Sequence, residues 1–91
     1  MDSAYYMQGL AAVAEARGEP RRAARLLGAA EVLLEAAGLV IYAHASDELH
    51  QRVASAARER LGERAWTVAH DEGRAMTFER AVEYAHEDEK A

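Results

Sequence analysis

Apolar residues recur at intervals of three and four along most of the chain, a spacing typical of amphipathic α-helices. Four such segments are followed by a glycine, at Gly18, Gly38, Gly62 and Gly73. A helix C-terminus favours glycine, because glycine adopts positive φ without strain. The pattern predicts five helices: from about Ser3 to Arg17, from Pro20 to about Ala37, from the N-cap Ser46 to Leu61, from just after Gly62 to Gly73, and from the N-cap Thr77 to residue 87.

Each predicted helix has one apolar face, which we expect to form the core. In chain order these faces are Tyr6, Leu10, Val13 and Ala14; Ala23, Leu26, Leu27, Ala30, Val32, Leu33 and Leu34; Leu49, Val53, Ala56, Ala57 and Leu61; Ala65, Trp66 and Ala69; and Phe78, Ala81, Val82 and Ala85. Small residues of the second helix, among them Gly28, are expected to permit close packing with the first helix.

The pattern also predicts how the chain is organised. Residues 1–37 form an antiparallel helical hairpin, because the connection between its helices is too short for another geometry. Residues 38–45 have a β-favouring apolar pattern without a partner strand, so we interpret them as a packed connector. Residues 46–87 form a three-helix part, and residues 88–91 a frayed tail.

Composition supports one small, all-α domain. The chain has 91 residues, of which 51% are hydrophobic, but 22 of them are alanine. Alanine has the highest helix propensity and a poor strand propensity. The core of so short a chain is therefore expected to be thin and to depend on close backbone approach.

Charge and cysteine content exclude several classes of function. The net charge of −5 disfavours a general affinity for nucleic acid, which requires a basic surface. The chain has no cysteine, so it offers no disulfide, thiolate nucleophile or cysteine-ligated metal. Its apolar runs, such as Leu39 to Ala43, are far shorter than the roughly 20 residues that span a bilayer. We expect a cytoplasmic protein that contacts no membrane.

The hairpin resembles a tetratricopeptide repeat. Gly18 aligns with the turn glycine of that repeat. The first helix then has the large–small pair of the repeat at Leu10 and Ala11. The second helix has the small–large–small pattern of the repeat at Ala23, Leu27 and Ala30. Ala14 replaces the usual aromatic residue, and Glu35 the usual proline. Since a single repeat cannot bury its own apolar face, the later helices or another chain are expected to cover it.

Longer stretches resemble the C-terminal end of large bacterial transcriptional regulators of the LuxR-type and related classes. The resemblance covers residues 9–38 and 58–85, and is most specific at residues 24–31, Leu61 to Glu63, Trp66 and residues 72–85. It implies a regulatory helical-repeat module that accompanies NTPase and DNA-binding domains. The chain has neither a phosphate-binding GxxxxGK[ST] motif nor an evident basic recognition helix.

Candidate catalytic and metal-binding residues are weak. His44, Asp47 and His50 are close in sequence, but they lack a metal-site motif such as HExxH, and we favour a solvated or capping role. His70 is followed by two acidic residues, which point in different directions on a helix. No serine lies in a GxSxG motif. We therefore expect no enzyme activity, no metal and no cofactor.

Two groups of residues are candidates for binding a partner. Arg17, Arg21, Arg22 and Arg25 form a positive cluster, which fits an acidic segment or a phosphate. The alternative is that these arginines are solvated or paired with Glu15, Glu19 and Glu31. Tyr5, Val40, Ile41 and Tyr42 form a candidate apolar surface.

Together, the sequence predicts a non-catalytic module that binds protein. The partner is expected to be a second copy of the chain or another part of a regulator, with the arginine cluster giving electrostatic preference. The alternative function is a small-ligand sensor, with a pocket between the hairpin and the three C-terminal helices.

Overall fold

The computed structural model describes residues 2–36 and 48–90, with side chains for residues 7–36, 48 and 50–87. Five helices occupy these ranges: α1 (Asp2–Ala16), α2 (Pro20–Ala36), α3 (Glu48–Leu61), α4 (Glu63–Arg74) and α5 (Phe78–Lys90). These ranges contain no strand, and none of their helices is long and apolar enough to cross a membrane. The predicted all-α class with about five helices is confirmed.

The bundle is organised around α2, which packs against each of the other four helices. The predicted N-cap Ser46 and the connector 38–45 lie outside the described residues. At the other end, α5 continues to Lys90 and so includes part of the predicted tail.

Two of the predicted turn glycines have the expected conformation. Gly18, between α1 and α2, has φ 79°, and Gly62, between α3 and α4, has φ 84°. The third is different, because Gly73 lies inside α4, which continues to Arg74 and ends at the C-cap Ala75. The prediction that Gly73 ends its helix through positive φ was wrong.

Gly73 instead permits the close crossing of α2 and α4. A Cβ atom added at Gly73 would lie 2.0 Å from the backbone oxygen of Arg25 on α2. Gly28 does the same from the other side, since its Cβ would lie 2.3 Å from the backbone oxygen of His70 on α4. The close approach expected at Gly28 thus occurs with α4 and not with α1. We call this contact the glycine crossing.

The core is thin and rich in alanine. Of the seventeen buried apolar residues in the described part, ten are alanine, and the largest fully buried side chains are Met7, Leu26, Leu27 and Leu34. Small side chains let the helices approach closely, which compensates for the shortage of large ones. The core therefore depends on backbone proximity, as the composition predicted.

Two residues predicted on core faces are exposed. Val13 is 41% exposed, because α1 buries the stripe formed by Met7, Ala11 and Ala14, and Val13 is turned away from it by more than 100°. Phe78 is 56% exposed, because it is the first residue of α5 and precedes that helix's first core residue, Ala81. Both core predictions were wrong.

An arginine of α2 holds α5 in place. Arg22 donates a hydrogen bond from Nη2 to the backbone oxygen of Tyr84, at 2.7 Å, and its guanidinium lies 4.4 Å from the centroid of the same residue's ring. Tyr84 is buried, so its ring adds one of the few large apolar groups to the core. A cation over a tyrosine ring is attracted by the ring quadrupole, which strengthens this contact.

Thr77 caps α5, as predicted, since its Oγ1 accepts a hydrogen bond from the backbone N–H of Arg80 at 3.1 Å. We expect Thr77→Ala to lower the free energy of unfolding by about 1 kcal/mol, because an N-terminal N–H loses its acceptor. Urea unfolding followed by circular dichroism measures the change. Thr67→Ala, at an exposed position inside α4, is the control and should be neutral or slightly stabilising. Equal effects of both substitutions would contradict the capping role.

Candidate functional site

An open groove of about 710 Å³ lies between the start of α2 and the corner where α3 meets α4. Its apolar lining comes from Leu61, Ala65 and Val68. Val68 is 55% exposed. The groove therefore offers apolar surface that residues 2–36 and 48–90 leave uncovered.

Five charged residues also line the groove, and three of them are compensated within the chain. Arg25 donates from Nε to Glu72 at 2.9 Å, so these two lining residues neutralise each other. Glu63 accepts two hydrogen bonds from Arg58, each of 2.8 Å, in a bidentate pair across the α3–α4 corner. Arg25 also donates to the Tyr84 hydroxyl at 3.4 Å, which further fixes its position.

The remaining two charged residues, Arg21 and Arg64, are exposed and make no hydrogen bond or ion pair with another described residue. Arg21 belongs to the first turn of α2, and Arg64 to the first turn of α4. The uncompensated charge of the groove is therefore positive, although the whole chain has a net charge of −5.

The structure separates the four arginines that the sequence grouped together. Arg21 and Arg25 line the groove, whereas Arg22 contacts α5 and Arg17 is not among the lining residues. Arg25 pairs with Glu72 of α4 and not with a nearby glutamate.

Two of the three glutamates expected as local partners, Glu15 and Glu31, pair across the bundle instead. Glu15 lies 3.2 Å from Nε of Arg60 on α3. Glu31 contacts residues of α3 and α4, as described below. Arg64 was missed as a site residue, since only the fold brings it opposite Arg21. The predicted apolar surface of Tyr5, Val40, Ile41 and Tyr42 lies outside the described side chains.

A second polar site, which we call the Glu31 cluster, joins α2 to the other helices. His50 of α3 and His70 of α4 both contact Oε2 of Glu31 through Nε2, at 3.0 and 2.9 Å. Arg74 donates to the other carboxylate oxygen, Oε1, at 3.0 Å. One carboxylate on α2 thus bonds to side chains of both α3 and α4.

Further contacts surround the Glu31 cluster. The side-chain amide of Gln8, on α1, lies 3.3 Å from Nδ1 of His50. The His70 ring stacks on Trp66, with centroids 5.2 Å apart. Arg74 also pairs with Glu35, at 2.9 Å. The polar atoms of the cluster are mostly bonded to one another, which indicates a structural role.

Burial and the two neighbouring histidines shift the pKa of Glu31 in opposite directions. Burial alone would raise the pKa of Glu31, but the hydrogen bonds from His50 and His70 and the electrostatic interactions with both rings together outweigh burial and lower that pKa from 4.5 to about 2. The carboxylate therefore stays ionised well into the acidic range.

The cluster does not supply a metal site. In residues 2–36 and 48–90 no group of three or more histidine, cysteine or acidic side chains is arranged to hold a metal ion. The Arg74 guanidinium on Glu31 also disfavours a second cation there. Of the histidine group considered from the sequence, His44 and Asp47 lie outside the described residues, and His50 contacts Glu31.

Comparison with protein-family models, curated proteins and solved structures finds no significant match to this chain.

Proposed function

We propose that the protein is a non-catalytic helical module that binds another protein chain. The observation that supports this most directly is the groove, whose apolar lining is open to solvent and flanked by Arg21 and Arg64. Exposed apolar surface beside unpaired charges is typical of protein-binding surfaces, in which arginine is enriched. The only other polar site described above, the Glu31 cluster, is occupied by its own contacts.

The shape of the groove favours a protein over a small molecule. Small-ligand sites bury about 70–90% of the ligand and orient it with a few enclosed polar groups. Here the uncompensated charged groups are exposed, and the groove opens to solvent. A chain segment laid along the surface suits this geometry better.

One observation favours the second candidate function, a small-ligand sensor. The groove has a volume of about 710 Å³ and lies between the hairpin and the C-terminal helices, where the sensor hypothesis places its pocket. That volume falls within the usual range of ligand pockets, about 300–1,000 Å³.

The biological setting is proposed from the sequence resemblance. A module similar to the end of LuxR-type regulators, with a tetratricopeptide-like hairpin, would work in the bacterial cytoplasm. Its partner would be a second copy or another part of a regulator. The exposed Val68 and Phe78 support the idea that some apolar surface is buried only in such an assembly.

Self-association tests this proposal. We expect the isolated chain to form dimers in sedimentation velocity, and Ile41→Glu to weaken them severalfold while leaving helicity unchanged, because a charge would enter the predicted apolar surface. Ser55→Glu, at an exposed position of α3, is the matched control and should leave the dimer unchanged. A strict monomer at high concentration would remove self-association from the proposal and leave a different chain as the partner.

A further inference from the structure

We infer that the groove binds a short acidic segment of a partner protein, with carboxylates against Arg21 and Arg64 and an apolar side chain against Val68. This inference rests on the proposed function, because it names the chemistry of the partner at the same groove. It differs from self-association through residues 40–42, which involves another part of the chain.

Charge complementarity selects an acidic segment. Glu72 is neutralised by Arg25 and Glu63 by Arg58, so neither glutamate leaves a local negative charge uncompensated. Arg21 and Arg64 remain, and guanidinium groups bind carboxylates through paired, charge-assisted hydrogen bonds. A basic segment would meet two cations that no described residue neutralises, and would be repelled.

Apolar complementarity adds a second requirement. Leu61, Ala65 and Val68 lie between the charged residues, and none of the three is fully buried by the fold. A partner segment with only carboxylates would leave this apolar lining exposed to water. A segment with an apolar residue among its carboxylates would bury the lining. The segment that fits best therefore alternates acidic and apolar side chains.

The acidity of the rest of the chain makes the groove selective. With a net charge of −5, most of the molecule repels an acidic partner. Arg21 and Arg64 place positive charge on both sides of the apolar lining, so they orient the segment as well as attracting it. Both arginines are exposed, so binding should weaken as salt rises.

Fluorescence anisotropy tests the inference on the full chain. The probe is a short fluorescein-labelled peptide in which glutamate and leucine alternate. The reference peptide has the same length, with glutamine in place of every glutamate. At low salt we expect the glutamate peptide to bind about tenfold tighter, and the difference to shrink at physiological salt. Equal binding of the two peptides would overturn the inference.

Charge-reversal variants locate the peptide. The double variant Arg21→Glu/Arg64→Glu should weaken binding of the glutamate peptide at least about tenfold. The matched control is Arg52→Glu, since Arg52 is an exposed arginine of α3 outside the groove, and it should leave the affinity unchanged. The reversals should not unfold the protein, because glutamate in a helix's first turn interacts favourably with the helix dipole. Circular dichroism checks this point.

Two further outcomes would overturn the inference. Equal loss in Arg52→Glu and in each single reversal, Arg21→Glu or Arg64→Glu, all of which change the net charge by the same amount, would mean that the peptide responds only to overall charge. Binding of inorganic phosphate that depends on Arg21 and Arg64, without binding of the glutamate peptide, would assign the groove to a small anion. Neither result depends on sedimentation, so a failure of this inference is distinguishable from a failure of self-association.

Discussion

Replacing Gly73 by alanine is expected to lower the free energy of unfolding by at least about 3 kcal/mol, a large part of the stability of a small domain. The added Cβ would lie 2.0 Å from the backbone oxygen of Arg25 and 2.7 Å from its carbonyl carbon. Both atoms belong to the backbone of α2, so no side-chain rotation relieves the clash. The helices must separate, which opens the core around the glycine crossing.

The helix propensity of alanine acts in the opposite direction and is too small to compensate. Alanine in place of glycine inside a helix stabilises by about 1 kcal/mol. Gly9→Ala isolates this term, because Gly9 lies inside α1 and a Cβ there would meet nothing within 4 Å. We expect Gly9→Ala to raise the free energy of unfolding and Gly73→Ala to lower it.

Urea unfolding followed by the fluorescence of Trp66, the single tryptophan, measures both variants. Trp66 is buried on α4, so its emission should report separation of this helix from the core. If Gly73→Ala stabilised the protein as Gly9→Ala does, the close contact between α2 and α4 would be contradicted.

Glu31→Gln is expected to give the second large effect, a loss of about 1–3 kcal/mol at neutral pH. Glutamine is neutral and keeps only one acceptor oxygen, so His50, His70 and Arg74 lose an ionised partner that contacts all three. Since these residues belong to α3 and α4, the loss affects the attachment of both helices to α2.

The pH dependence of this effect follows from the lowered pKa of Glu31. In the window from pH 4.5 down to about 2, the unfolded chain binds a proton at Glu31 while the folded chain does not. Stability therefore rises with pH through this window, and the contribution of Glu31 is complete above it. Because the Glu31 side chain is 30% exposed, we discount for solvent screening and expect about 1–2 kcal/mol to be lost on acidification.

Chemical unfolding of the wild type and of Glu31→Gln across this pH window measures the difference in stability. The difference in stability should shrink towards pH 2. The contributions of the other carboxylates largely cancel in this difference, because both proteins contain them. Glu35→Gln is the matched control on the same helix, since Glu35 contacts only Arg74 in the cluster and its side chain is 48% exposed. It should cost less than about 1 kcal/mol. A pH-independent difference between wild type and Glu31→Gln would contradict the role assigned to the cluster.

The features predicted correctly from sequence are local ones. Helix positions follow from apolar spacing, and the turns at Gly18 and Gly62 follow from the tolerance of glycine for positive φ. Thr77 was identified as a cap because capping involves residues only three positions apart. Each of these predictions depends on neighbours along the chain, and the sequence contains them directly.

The features that were missed depend on how the helices pack. Gly73 has the same local pattern as Gly62, and only the position of α2 shows that one is a crossing residue and the other a turn. Glu31 meets His50 and His70 from 19 and 39 positions away. Arg64 lies opposite Arg21 for the same reason. Apolar periodicity places residues on a face of a helix and does not say which face of another helix they meet.

The glycine crossing has a consequence for the entropy of binding. Its helices, α2 and α4, also form the walls of the groove, and the carbonyl of Arg25 that faces Gly73 belongs to a lining residue. Direct backbone contact fixes the distance between these walls before any partner arrives. The distance between the walls is thus set in advance, and the ordering cost of association falls on the exposed arginine side chains of the rim and on the incoming segment. A partner segment already stiffened by its own protein should consequently bind more tightly than the same sequence as a flexible peptide.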